Sequence, residues 1–177
     1  MPRWLRYSIV AGIAALTVVL MLSFRFDPRD IRTGTVGKPA APFTAHRVDG
    51  TGQLSLSDYS GKVVVLNFFA SWCQPCKIEN PALIRVWERY RTSDVVIIGI
   101  VFNDTTDKAR EYVRTNGVTW PTVQDGDGRI AFAYGAHAPP ETYFIGRDGI
   151  IAGRHIGEIT EQVLVKGIDE LRAQAAR

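Results

Sequence analysis

The sequence predicts an α/β fold, a central mixed β-sheet flanked by helices, with a transmembrane anchor at its N-terminus. Three observations predict it. Short β-branched runs alternate with helical stretches, two strands joined by a tight turn lie near the end, and an unbroken apolar segment opens the chain.

The apolar segment runs from Tyr7 to Phe24, "YSIVAGIAALTVVLMLSF", without a charge. As a helix it would be about 27 Å long, enough to cross a bilayer. A cleaved signal peptide would close on small residues at an A-x-A-like site, whereas this run continues "VVLMLSFRFDP". A core helix would carry a polar face, and only scattered Ser and Thr occur here. An uncleaved signal-anchor over 1–24 is therefore expected, followed by a Pro-, Gly- and charge-rich linker over 25–36. Arg3 and Arg6 precede the run, but Arg25, Arg29 and Arg32 follow it, so the positive-inside rule does not orient it.

The domain occupies 37–177. "KVVVLNFFA" (62–70) reads as a strand buried on both faces. From Cys73 to about Arg91 a helical pattern places Leu83, Val86, Trp87 and Tyr90 on one side, with a kink expected at Pro81. "DVVIIGIVF" (94–102) is a second buried strand. "TTDKAREYVRTNG" (105–117) is a helix capped by Thr105 or Thr106 and stopped by Gly117. "ETYFIGRDGIIAGRHIG" (141–157) reads as two strands about a turn at Arg147-Asp148-Gly149, and "TEQVLVKGIDELRAQ" (160–174) as a closing amphipathic helix. "DGDGR" (125–129) resembles a calcium loop only briefly. Ile130 and Ala136 stand where the EF-hand needs Gly and Glu, so a solvated turn is expected.

The formal charge is +3. Setting aside Arg3 and Arg6 leaves nineteen basic residues against eighteen acidic ones beyond Phe24. With no basic block or stripe, nothing supports nucleic-acid binding.

The chemistry centres on "FFASWCQPCKIENPAL" (68–83), which holds both cysteines of the chain, Cys73 and Cys76. As a staple, a four-residue closure would stabilise by only about 2 kcal/mol on the chain-entropy formula, against about 3 for a fifteen-residue loop. As half a zinc site it lacks a second C-x-x-C, and His46, His137 and His155 have no paired ligand spacing. A reaction centre accounts for the neighbours. A helix beginning at Cys73 puts that sulfur at the positive end of the helix dipole, which lowers the thiol pKa and makes it a nucleophile. Cys76, almost one turn along, is placed to attack a mixed disulfide, and Pro75 fixes the local φ without adding an N–H.

These residues carry a resemblance. "LNFFASWCQPCKIENP" and "YGAHAPPETYFIGRDGIIAGRHIGEIT" (134–160) resemble the redox helix and the cis-proline segment of the thioredoxin superfamily. More closely they resemble its membrane-anchored thiol–disulfide oxidoreductases of the TlpA/ResA and CcmG/DsbE type, over about residues 37–175. The resemblance implies a thioredoxin-like fold without a cofactor, and a reductant in the bacterial periplasm or the equivalent space outside the membrane. Its implied substrates are disulfide-containing proteins, notably apocytochrome c during cytochrome c maturation. Its implied electron donor is a membrane carrier of the CcdA/DsbD kind. Cys73 then matches the attacking thiol, Cys76 the resolving thiol, Glu79 the acidic residue that handles protons for the pair, and Pro140 the cis-proline, in a cis bond to Pro139.

Asn67 stands where thioredoxin has a buried Asp, as is common in this subgroup. The resemblance implies that the backbone of the residue before the cis-proline pairs with substrate; if that residue is Pro139 rather than Ala138, it has no N–H to offer.

Other readings stay open. Trp72 fits a substrate-contacting rim or a plain core site. By position alone Glu79 would be a solvated helix residue. His137 reads as a surface residue, His46 and His155 as structural, Trp87 and Tyr90 as core, and Trp120 as core or loop packing. Rival functions are a peroxiredoxin-like thiol peroxidase, whose family shares the "FTAHRVDGTGQLSLSDYSGKVVVLNFF" opening, and a general disulfide oxidant or isomerase. Ala70 stands where such peroxidases usually carry Thr.

If Cys73 attacks, Cys76→Ser should accumulate a covalent complex with a disulfide peptide through Cys73, and Cys73→Ser none. Faster alkylation of Cys76 than Cys73 in the reduced protein at pH 7 would reverse the roles.

Overall fold

The computed structural model describes residues 35–174 continuously, together with isolated positions among residues 2–18. Among the described residues no helix is long and apolar enough to cross a membrane. Most of the segment expected to form the anchor, 1–24, and most of the linker after it lie outside them.

The fold is thioredoxin-like, built on a five-stranded mixed sheet. Its elements are β1 (Thr44–His46), β2 (Gln53–Ser55), a 3-10 turn (Leu56–Tyr59), β3 (Val63–Phe69), α1 (Gln74–Tyr90), β4 (Val95–Phe102), α2 (Thr106–Thr115), β5 (Thr122–Asp125), α3 (Arg129–Tyr134), β6 (Glu141–Ile145), β7 (Ile151–Ile156) and α4 (Glu161–Gln174). The sheet order is β5-β4-β3-β6-β7, and β1 and β2 form a separate antiparallel pair. β3 runs parallel to β4 and antiparallel to β6, so the chain has one crossover half and one hairpin half.

Period-two alternation along β3 divides the core. Val63, Val65 and Phe69 pack with Leu83 and Val86 of α1, Tyr112 of α2, and Leu164 and Ile168 of α4. Val64, Leu66 and Phe68 face the other way, against Ile130 and Tyr134 of α3 and Tyr143 of β6. On that side Phe68, Tyr134 and Tyr143 stack edgewise, with ring centroids 5.4–5.9 Å apart. Tyr134 also donates to the Ala41 carbonyl at 3.0 Å, pinning the segment that leads into the domain. That segment meets the β6–β7 turn as well, where Gly37 N–H bonds Ile151 O and Ala40 N–H bonds Gly149 O, both at 2.8 Å.

Both long buried strands, α1, α2, the hairpin and α4 lie where the sequence places them. Thr105 is the α2 cap, its hydroxyl accepting from Lys108 N–H, and Gly117 follows at φ +67°. α1 continues through Pro81, which sits on its exposed side, to Tyr90. Five elements were not foreseen: β1 and β2 at three residues each, the 3-10 turn and β5 at four each, and α3 at six. The expected solvated turn at 125–129 is corrected in one respect. Asp125 is buried, and its carboxylate accepts from Ile130 N–H (3.1 Å) and Ala131 N–H (2.8 Å), closing the first turn of α3.

Gly167 of α4 lies against β6, where an added Cβ would come within 2.7–3.0 Å of three ring atoms of buried Phe144. Ala normally gains about 1 kcal/mol over Gly inside a helix, whereas overpacking a filled site costs about 1–3 kcal/mol. Gly167→Ala should therefore lower the urea midpoint despite its better propensity. A raised midpoint would show that the Phe144 ring swings aside freely.

Candidate active site

β3 ends at Phe69, and the chain turns at once, with Cys73 N–H bonded to Ala70 O at 3.1 Å. Cys73 is the N-cap of α1 in extended conformation (φ −82°, ψ 107°), and its sulfur accepts from Cys76 N–H at 3.2 Å. Pro75 falls in the first helical turn, where no intrahelical donor is needed. Cys73 and Cys76 are joined as a disulfide, Cα to Cα 5.3 Å, and both are buried. The sulfur of Cys73 thus occupies the place of a capping oxygen at the positive end of α1.

Glu79, one turn further along α1, is only 2% exposed. The period of β3 turns Asn67 toward α1, and its amide donates to Glu79 Oε1 at 2.8 Å and to Thr142 Oγ1 of β6 at 3.1 Å. Glu79 Oε2 accepts from Ile159 N–H at 3.0 Å. The default of a solvated helix carboxylate is thereby corrected. Burial pushes the Glu79 pKa up to about 7, the bonds from Asn67 and Ile159 N–H pull against that rise, and nearby Glu158 adds to it. Tyr112 of α2 donates to Cys76 O at 3.3 Å, and burial with the Glu79 charge pushes its phenol up to about 12, so it stays neutral.

The bond between Pro139 and Pro140 is cis, as the resemblance implies. The register Phe68↔Glu141 carries Pro140 toward the end of β3 from which the redox turn departs. Pro140 is buried and Pro139 half-buried, and Pro140 O accepts from Gly157 N–H at 2.9 Å. The loop before them folds on a carboxylate the sequence analysis did not single out. Glu141 Oε1 accepts from His137 N–H (2.8 Å) and Ala138 N–H (3.3 Å), while Oε2 meets the guanidinium of buried Arg154, whose Nε lies at 2.9 Å. A charged residue at an inward position of β7 is the signal that could have pointed to this pair.

Trp72 is 56% exposed, so it is not a core residue, and its indole N–H donates to Asn103 O at 3.1 Å. His46 and His137 are exposed, and His155 is half-buried with a ring nitrogen 3.0 Å from Glu158 O. Trp120 and Tyr90 are core residues and Trp87 is partly so. Among the described residues, no three His, Cys, Asp or Glu side chains come together to hold a metal.

A model of the AhpC/TSA family matches residues 36–154. The chain belongs to that family. Within the AhpC/TSA family its relatives are thiol–disulfide oxidoreductases of the DsbE and ResA type. It is 30% identical over 164 residues to the thiol:disulfide interchange protein DsbE of Pseudomonas fluorescens biotype C, covering 92% of this chain and 90% of that protein. It is 28% identical over 172 residues to the thiol-disulfide oxidoreductase ResA of Halalkalibacterium halodurans, covering 97% and 96%. A crystal structure of a DsbE-type thiol:disulfide interchange protein from Chlorobium tepidum superposes with a TM-score of 0.72 at 25% identity, covering 77% of this chain and 96% of that one. The C-x-x-C of this AhpC/TSA chain sits at the helix start as a closed disulfide, the oxidised half of a two-electron couple.

Glu79 makes the fold itself sensitive to pH. Its carboxyl ionises near 4.5 ordinarily and about 7 here, so between those values the folded state binds more protons than the unfolded chain. Stability should fall as pH rises through that window, by a total on the order of 3 kcal/mol. Glu79→Gln sacrifices one of the two accepting oxygens but keeps the side chain neutral. Denaturant midpoints of the oxidised protein from pH 4.5 to 8 should slope downward in the parent and flatten in the variant. Equal slopes would mean that Glu79 ionises at its ordinary value.

Proposed function

We propose that the protein is an extracytoplasmic disulfide reductase that acts through Cys73 and Cys76, with apocytochrome c among its substrates. The observation that carries this reading is a C-x-x-C disulfide capping a helix beside a buried carboxylate whose pKa lies close to neutral. In the reduced protein the Cys73 thiolate attacks one sulfur of a substrate disulfide, expelling the other as a thiol and leaving a mixed disulfide. Cys76 loses its proton, with Glu79 as acceptor, and attacks Cys73 Sγ. The second substrate thiol departs and takes up a proton, and the Cys73–Cys76 disulfide of this structure remains. Two electrons from a membrane carrier of the CcdA/DsbD kind restore the dithiol. Residues 1–24 anchor the domain in the membrane with the redox centre outside the cytoplasm.

Substrate docks between Trp72 and the Pro139–Pro140 segment. A backbone strand laid beside Pro139 finds a carbonyl acceptor but no N–H donor. One backbone hydrogen bond is missing, worth about 0.5–1.5 kcal/mol net. Capture therefore leans on side chains such as Trp72 and on the transient disulfide.

The test joins a redox titration of residues 37–177 to mass mapping of mixed disulfides trapped by Cys76→Ala. A potential well below the roughly −120 mV of a strong oxidant, with trapping of a C-x-x-C-H peptide, is expected. A value near that figure would make the protein an oxidant, and fast turnover of hydrogen peroxide would make it a peroxidase. Pro139→Ala should tighten the trapped peptide complex roughly two- to tenfold. Unchanged affinity would remove Pro139 from the docking surface.

A further inference from the structure

The β4–α2 connection carries features that the reaction described above leaves unused. Asn103 has φ +44° and is the one non-glycine residue with positive φ among the described residues. Asn enters this left-handed region more readily than most residues, at some cost in strain. Its carbonyl accepts the Trp72 indole N–H at 3.1 Å. Next to it, Asp104 Oδ2 accepts from Ser71 N–H at 2.7 Å and Oδ1 from Thr105 N–H at 2.8 Å, while Asp104 O accepts from the Gln124 side chain at 2.8 Å. The loop is thus fixed from β5, from α2 and from the redox turn, and it holds a half-buried carboxylate against the backbone N–H of Ser71, two residues before Cys73.

A carboxylate there works against the helix. The start of α1 favours a thiolate on Cys73, whereas a fixed negative charge beside the turn disfavours one. On this geometry, and resting on the reading of Cys73 as the attacking thiol, we propose that Asp104 is a positioning residue. Its charge keeps the Cys73 thiol less acidic than the helix N-terminus alone would make it, and so keeps the dithiol reducing. Stabilising the thiolate stabilises the reduced form and makes a couple more oxidising, so a group that withholds this stabilisation acts the opposite way. The other charged or titratable groups facing this region include Lys77 and Glu79 on α1, Asp107, Lys108, Glu111 and Tyr112 on α2, Asp125 on β5, His137 and Glu141 around the cis-proline loop, and Glu158 after β7. Of the carboxylates among them, none accepts from the backbone of the redox turn.

Asp104→Asn tests this, because it keeps an acceptor for Ser71 N–H and removes the charge. Asp104→Ser is a second neutral acceptor should the first misfold. The readout is the pH profile of alkylation of the reduced full chain, resolved by mass for each cysteine. Both variants should shift the Cys73 profile down by roughly half a pH unit, giving about threefold faster alkylation at pH 6, and raise the reduction potential. A Cys73 profile that superposes on the parent's, or moves up, overturns the proposal and leaves Asp104 a structural clamp. Cys76 alkylating ahead of Cys73 in the parent protein would instead overturn the assignment of the attacking thiol on which it rests.

Discussion

The hydrogen bond from Asn67 to Glu79 joins the parts that must stay in register for the site to exist. Asn67 belongs to β3 and also bonds Thr142 of β6, while Glu79 belongs to α1 and accepts from Ile159 N–H, after β7. Two side chains therefore connect both halves of the mixed sheet, the redox helix and the segment leading into α4. An isolated buried carboxylate would be costly, and burial has moved this one toward its neutral form. Asn suits the partner position because it donates in either protonation state of Glu79. A second titrating group there would couple its charge to that of Glu79.

The Glu141–Arg154 pair does comparable work for the loop before the two prolines. A buried ion pair is weak evidence for stability, since desolvation offsets much of the attraction. What this pair provides is placement. One oxygen of Glu141 gathers the His137 and Ala138 N–H groups, and Arg154 also holds Gly135 O at 2.9 Å. The backbone that precedes Pro139 is thereby set by side chains rather than by a sheet ladder.

The redox centre was legible because its signals are local. Two cysteines three apart, a proline between them and a buried strand before them need no distant partner to be read. β3, β4, α1, α2, the hairpin and α4 were legible through length and periodicity. β1, β2 and β5 are too short to show a period, and β5 exists because Pro121 O accepts Gly99 N–H at 2.9 Å and the strand then follows β4. α3 is six residues long and owes its start to Asp125, whose role as a buried cap is invisible without its partners. The burial of Glu79, the Glu141–Arg154 pair and the grip of Asp104 on Ser71 join residues 13 to 80 positions apart or depend on what covers them. Pattern in one dimension does not carry that information.

The lead-in segment touches the sheet at residues 149–151, beside the end of the hairpin that pairs with Val64 at the beginning of β3. The sulfurs stand beyond the other end of β3. Seven strand residues separate the two ends, a span of about 20 Å. From residues 149–151 the described chain runs back along β7, with Val36 beside Gly153, Arg154 and His155 and with Thr35 approaching Gly135. The loop before Pro139 therefore shares its Gly135–Arg154 corner with the segment that leads into the domain, and a pull on that segment reaches the backbone set beside the cysteines.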